Sequence, residues 1–212
     1  MAVTRPNRAN PLALAVLVCL EERPMHPYEI SQTLKSRAKD VSIRLNFGSL
    51  YSVVAGLLKR GLVSDRETTR DGRRPERTVY EITAAGRGEM IDWLTDLVAT
   101  PSKEYLQFEA ALSLLPAMHP DDALDALRLR AQRLDLQLAH SQATTETMTA
   151  AGLPRLFGIE GEYLEALLIA EIAFVRGLID EIERDVLPGI DLWRHWSDTG
   201  EAPKFELGEA AP

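Results

Sequence analysis

Cysteine is almost absent. The 212-residue chain has one, Cys19, so neither a disulfide framework nor a zinc site built on thiolates can form within it. Cys19 lies in the apolar run from Leu12 to Leu20, where a small thiol is expected to be buried as a hydrophobe. Its neighbours Val18 and Leu20 deny it the exposed, electropositive setting of a nucleophile. The four histidines, His26, His119, His140 and His195, lack metal-ligand spacing, and no His-Glu-x-x-His pattern occurs. A phosphate-binding loop is missing too, since Gly86-Arg87-Gly88 has no third glycine and reads as a helix start. Adjacent carboxylates such as Asp121-Asp122 and Asp180-Glu181 read as helix surface. These absences predict a protein that is not an enzyme and that holds no metal and no cofactor.

Long hydrophobic runs are absent as well. Arg5 and Arg8 followed by the stretch from Pro11 to Leu20 imitate a signal peptide, but Glu21-Glu22-Arg23-Pro24 stands where a small-residue cleavage site would lie. Ten residues cannot cross a bilayer. A soluble, cytoplasmic protein without a membrane partner is expected.

What is present begins with enough apolar residues, 45%, to bury a core. The net charge of −8 conceals two opposite halves. Residues 1 to 90 hold 15 Lys and Arg against 10 Asp and Glu, a net of +5, and residues 91 to 212 hold 9 against 22, a net of −13. Steering depends on local charge, so only the N-terminal third suits a polyanion.

The periodicity predicts four parts. Residues 1–9 form a polar tail. In residues 10–100, Asn10-Pro11 opens a first helix reaching about Glu22, and Pro24 stops it. His26-Pro27 starts a second helix carrying Ile30 and Leu34. A third follows with Phe47, Leu50, Val54, Leu57 and Leu58 on one stripe, ended by Gly61. The period then falls to two, and Leu62–Glu67 and Arg77–Thr83 read as strands joined around Asp71-Gly72. Thr83 opens a fourth helix containing Met90, Ile91, Trp93, Leu94 and Leu97, closed by Pro101. Residues 101–187 read as helices only: Tyr105 to about Leu115, Pro120 to about Thr149, and Gly161 to about Val186. In the second of these, Leu124, Leu127, Ala131, Leu134 and Leu138 repeat at coiled-coil spacing. Residues 188–212, rich in Gly and Pro, read as a partly ordered tail in which Leu192, Trp193 and Trp196 are able to dock. The fold class is mainly α: a winged helix-turn-helix of three helices and a two-stranded β-wing, then an all-α dimerisation domain.

The third helix presents Gly48, Ser49, Tyr51, Ser52, Ala55 and Lys59 opposite its apolar stripe. Small residues let a backbone approach base edges in a major groove, hydroxyls bond there, and Tyr51 reaches a phosphate. A helix cap plus a solvated face would use the same serines. Arg44 and Lys59 suit backbone phosphates, and Arg70, Arg73, Arg74 and Arg77 gather on one short turn, where self-repulsion favours an anionic partner or open solvent. Trp93, Phe108, Phe157, Tyr163 and Phe174 are candidates for an apolar effector pocket, although core packing accounts for them equally. Glu171, alone on an apolar face, is either a polar handle for that ligand or an edge residue.

These residues carry a family resemblance. His26-Pro27-Tyr28-Glu29-Ile30, Gly48-Ser49-Leu50-Tyr51, the run from Leu57 to Val63, Gly72-Arg73-Arg74-Pro75 and the run from Arg77 to Gly86 resemble the PadR-like regulators over residues 10 to 95. The long helices around Phe157-Gly158 resemble the larger C-terminal domain of one subgroup. The chain departs from the family pattern at Pro27, where glycine is usual before the tyrosine, and at Ser52, where proline often follows the tyrosine. The resemblance adds Tyr28 to the DNA-facing residues. It implies a homodimer, a palindromic operator in double-stranded DNA, repression, and release by a small effector. A dimeric protein-interaction adaptor without DNA binding is the competing reading, favoured by the acidic total and disfavoured by the arginine turn.

Overall fold

A computed structural model describes residues 10–40, 42–43, 47–69 and 77–203. The chain divides into two compact units, residues 1–103 and 104–212. The first contains, in order, α1 (Pro11–Glu22), α2 (Pro27–Ser36), α3 (Phe47–Lys59), β1 (Val63–Thr69), β2 (Arg77–Ile82) and α4 (Ala84–Ala99).

Helix α1 starts where the Asn10 side chain accepts the Leu12 N–H at 3.1 Å and Pro11 needs no donor. It is the centre of the unit. Leu12 to Leu17, Cys19 and Leu20 are all buried, because α2, α3, β2 and α4 each pack against it. Helix α3 adds Leu50, Val54 and Leu57 to the same core. Of the stripe expected on this helix, Leu58 stays 37% exposed, and the Phe47 side chain lies outside the described residues. Gly61 ends α3 at φ +69°, the left-handed region that suits glycine, and lets the Leu62 N–H donate back to the Leu57 carbonyl at 3.0 Å.

The two strands pair antiparallel, from Val63 opposite Ile82 to Arg66 opposite Val79, and the register shifts between Arg66 and Thr69. A contact not legible in the sequence joins this hairpin to the start of α2. Met25 and Tyr80 exchange both backbone hydrogen bonds at 3.0 Å. Flanking prolines explain why Met25 is available: Arg23 precedes Pro24 and His26 precedes Pro27, and residues before proline favour extended backbone.

Thr83 turns the chain from β2 into α4. Its hydroxyl donates to the Gly61 carbonyl at 2.8 Å and accepts the Gly86 N–H at 3.0 Å. Gly86 then has a steric role, for a Cβ there would lie 2.0 Å from the Leu62 carbonyl oxygen and 2.8 Å from the Ile82 side chain. Only glycine lets α4 approach the strands this closely.

The second unit holds α5 (Gln107–Ser113), a 3-10 turn at Leu115–Ala117, α6 (Pro120–Ala150), a second 3-10 turn at Arg155–Phe157, α7 (Ile159–Glu183) and α8 (Ile190–Thr199). The helix expected from Tyr105 is thus shorter. Helices α6 and α7 run antiparallel. Their polar cross-links show the direction, Arg128 with Glu183, Asp135 with Arg176, and Thr145 with Glu165. The seam consists of Ala123, Leu127, Ala131 and Leu134 against Leu168, Ile172, Val175 and Ile182, flanked by Leu124 and Leu138. Beyond Gly189, within the segment read as a tail, residues 190–199 are helical, with Ile190 and Trp193 buried on the same core. The Trp193 indole N–H donates to the Met118 carbonyl at 2.8 Å. No helix among the described residues is long and apolar enough to cross a membrane.

Candidate nucleic-acid interface

Because Leu50, Val54 and Leu57 bury one side of α3, the helical period turns Gly48, Ser49, Tyr51, Ser52, Ala55 and Lys59 outward, and all six are exposed. Tyr51 has 51% of its surface in solvent. Ser52 donates its hydroxyl to the Gly48 carbonyl at 3.2 Å, a local bond that an exposed serine exchanges readily for an outside acceptor. Gly56, on the same exposed side, has nothing within 4 Å of a built Cβ. The face is therefore low, polar and unobstructed by the unit's own atoms at that point.

Tyr28 projects from the first turn of α2 and is also 51% exposed. Its backbone N–H donates to Nδ1 of His26, the α2 cap. The His26 ring in turn meets Tyr51 edge-on, centroids 6.4 Å apart and planes at 72°. Sequence reasoning did not find this contact, since it joins residues 25 positions apart; the signal available was a histidine where a small capping residue is usual.

Among the described residues of this unit, five arginines pair with carboxylates: Arg23 with Glu29, Arg37 with Glu22, Arg60 with Glu89, Arg66 with Glu81 and Arg87 with Glu21. The Arg37 pairing holds the Glu22 carboxyl below the usual range, and the His26 backbone N–H, reinforced by Arg23, does the same for Glu29. Those five pairs are neutral in sum. The +5 of the first 90 residues is thus carried by other side chains, the turn arginines among them. Arg44, Arg70, Arg73 and Arg74 lie outside the described residues, and Arg77 begins β2 with its side chain likewise undescribed.

The six effector candidates fall in different places. Trp93 is 1% exposed in the core of the first unit, and its indole N–H has no hydrogen-bond partner among the described residues. In the second unit, Phe108 lies beneath the Arg130 guanidinium, 3.6 Å from its centre, and Arg130 also binds the Glu171 carboxylate. Glu171 is thereby engaged in bracing α7 to α6. Phe157, Tyr163 and Phe174 are 61%, 67% and 54% exposed. An open depression of about 320 Å³ beside Asp92, Asp96 and Thr100 includes none of the six. Another of about 440 Å³, beside His119 and Trp196, also includes none. Burial raises the Cys19 thiol to about 11, with the nearby Glu22 charge adding to it and Arg37 and Arg23 opposing.

Comparison with known proteins adds three findings. Residues 16–92 match the family described as transcriptional regulator PadR-like. A negative transcriptional regulator, PadR of Bacillus subtilis strain 168, is 22% identical over 181 residues, spanning 82% of this chain and 98% of that protein. Among solved structures, Bacillus subtilis PadR in complex with operator DNA superposes with a TM-score of 0.66 at 18% identity, covering 82% of this chain and 99% of that one. The same protein in complex with p-coumaric acid gives 0.67 at 16% identity, over 81% and 98%. The winged-helix architecture is common to them.

Proposed function

We propose that the chain, whose residues 16–92 match the PadR-like family of transcriptional regulators, is a homodimeric, DNA-binding repressor released by a small apolar or aromatic effector. The observation that carries the reading is the outward face of α3, whose small and hydroxyl-bearing residues Gly48, Ser49, Tyr51 and Ser52 stand exposed above a buried stripe. Such a helix enters a major groove, with Tyr28, Tyr51 and Lys59 toward phosphates and the turn arginines at the adjacent minor groove. Phosphate contacts position the protein and the α3 face reads the bases.

Dimerisation is supported by α7. Tyr163, Leu167 and Phe174 are spaced by 4 and 7, lie on one helix face and are exposed. Covering a side chain of this size contributes roughly 1.5–3 kcal/mol, which a second copy related by a twofold axis supplies to both partners. A twofold dimer presents two α3 helices to a palindromic operator, with half-sites about 34 Å apart. Of the aromatic candidates, Phe108 packs beneath Arg130 and Trp93 is buried in the core of the first unit, its indole N–H without a partner among the described residues, whereas Phe157, Tyr163 and Phe174 border that interface. An effector there acts by binding one arrangement of the dimer more tightly than another. The p-coumaric acid bound by the Bacillus subtilis relative makes phenolic acids the first compounds to try.

Fluorescence anisotropy of the protein against its own promoter duplex and a scrambled duplex, at two salt concentrations, tests the reading. A preference of tenfold or more for the promoter is expected. No binding to either duplex at low salt would overturn it in favour of an adaptor.

A further inference from the structure

His26 is an unexpected residue for its position. The N-cap of a helix is served best by serine, threonine, asparagine or aspartate, whose short side chains reach the first free N–H groups. His26 performs that duty with one ring atom: Nδ1 accepts the Tyr28 N–H at 3.1 Å, while its own backbone N–H donates to Glu29 Oε2 at 2.8 Å. A serine would cap α2 equally and touch nothing further. The imidazole instead extends to α3 and meets the Tyr51 ring in the edge-on geometry that aromatic pairs favour.

Tyr51 is the largest side chain on the outward face of α3 and is half exposed, so its own helix does little to hold it. A long exposed side chain that must be ordered on binding loses rotamer freedom at that moment, which weakens binding. A ring already braced in the free protein loses less. The brace is itself anchored, because the cap bond to Tyr28 fixes the imidazole and the Met25–Tyr80 pairing fixes the segment just before it.

We propose that His26 is a positioning residue of the DNA interface, its imidazole pre-orienting Tyr51 on the recognition helix for contact with a backbone phosphate. The inference rests on the DNA-binding reading above. Since Nδ1 accepts a hydrogen bond, the arrangement requires that nitrogen to be unprotonated, and the cap and the brace belong to the same form of the ring.

The test separates ring from cap with two substitutions. His26→Ser keeps a capping oxygen and removes the ring; His26→Phe keeps the ring and removes the cap. Each variant is compared with wild type for thermal stability and for affinity to the promoter duplex, with and without Tyr51→Leu. His26→Ser is expected to melt close to wild type yet bind about three- to tenfold more weakly, with no further loss once Tyr51 is leucine. His26→Phe is expected to melt lower but to bind within threefold of wild type where folded. In the free wild-type protein, nuclear Overhauser contacts between the His26 and Tyr51 rings are expected. Equal affinity of His26→Ser and wild type, an undiminished effect of His26→Ser in the Tyr51→Leu background, or absence of the ring contacts overturns the positioning role while leaving DNA binding intact. Wild type failing to bind any duplex overturns the DNA reading and this role with it.

Discussion

In the N-terminal unit a helix of 12 residues, α1, is enclosed by α2, α3, β2 and α4, whereas in the C-terminal unit helices of 31 and 25 residues share one seam. The first arrangement satisfies its apolar residues internally and turns a polar, small-residue face outward at α3. The second cannot. A long helix paired along one side still has its other side in solvent, and α7 carries Tyr163, Leu167 and Phe174 there. The two units thus present different surfaces: the first offers hydrogen bonds and positive charge, the second offers apolar area. Polar cross-links follow the same division. In the second unit Arg128, Arg130 and Arg176 staple α6 to α7 through Glu183, Glu171 and Asp135. These surface pairs set register more than they add stability, because solvent screens them.

The sharpest way to break the comparison is at Gly86. Gly86→Ala drives a methyl group into the Leu62 carbonyl, and the N-terminal unit is expected to lose roughly 3 kcal/mol, near the upper end of overpacking costs. Thermal unfolding followed by circular dichroism should show the loss in one transition, with the C-terminal unit's transition unchanged. On the other unit, Leu167→Glu combined with Phe174→Glu should leave the helices folded and convert a dimer to a monomer in light scattering. Persistence of the dimer would remove the α7 face from the interface.

Next is the buried thiol of the first core. Its folded value, about 11, lies above the unfolded value of 9.0, so its contribution is fully present below pH 9 and is lost as pH rises toward 11. The loss amounts to about 2–3 kcal/mol. Denaturant midpoints should fall between those pH values in wild type and much less in Cys19→Ala, once that variant's own cavity cost is subtracted. The smallest effect is on salt dependence. Arg73→Ala with Arg74→Ala should reduce the slope of log affinity against log salt by about 1 to 2. An unchanged slope would take the turn out of the interface.

Much of the secondary structure was legible because its causes are local. Asn10-Pro11, His26-Pro27 and Thr83 mark helix starts at the observed positions, and Gly61 ends α3 where expected. The outward face of α3 followed from the same periodicity, since residues i, i+3 and i+4 share a face whatever surrounds the helix. Candidates chosen by residue type alone fared differently. Trp93 and Phe157 are both aromatic, yet one is 1% and the other 61% exposed. Nothing within a few residues of either distinguishes them, because burial depends on which distant element arrives.

The sequence by itself therefore determined helices α1 to α4, α6 and α7, the two strands, the division of charge and the face that α3 turns outward, all through interactions spanning a few residues, whereas α8 in the segment read as a tail was not legible. Only the tertiary structure decided that Met25 pairs with Tyr80, that Gly86 must admit the Leu62 carbonyl, that Arg130 joins Phe108 to Glu171, and that His26 meets Tyr51. Each of these joins segments separated by 22 to 55 positions, and no periodicity or capping rule acts across that distance. Such contacts exist once the cores have fixed which faces meet.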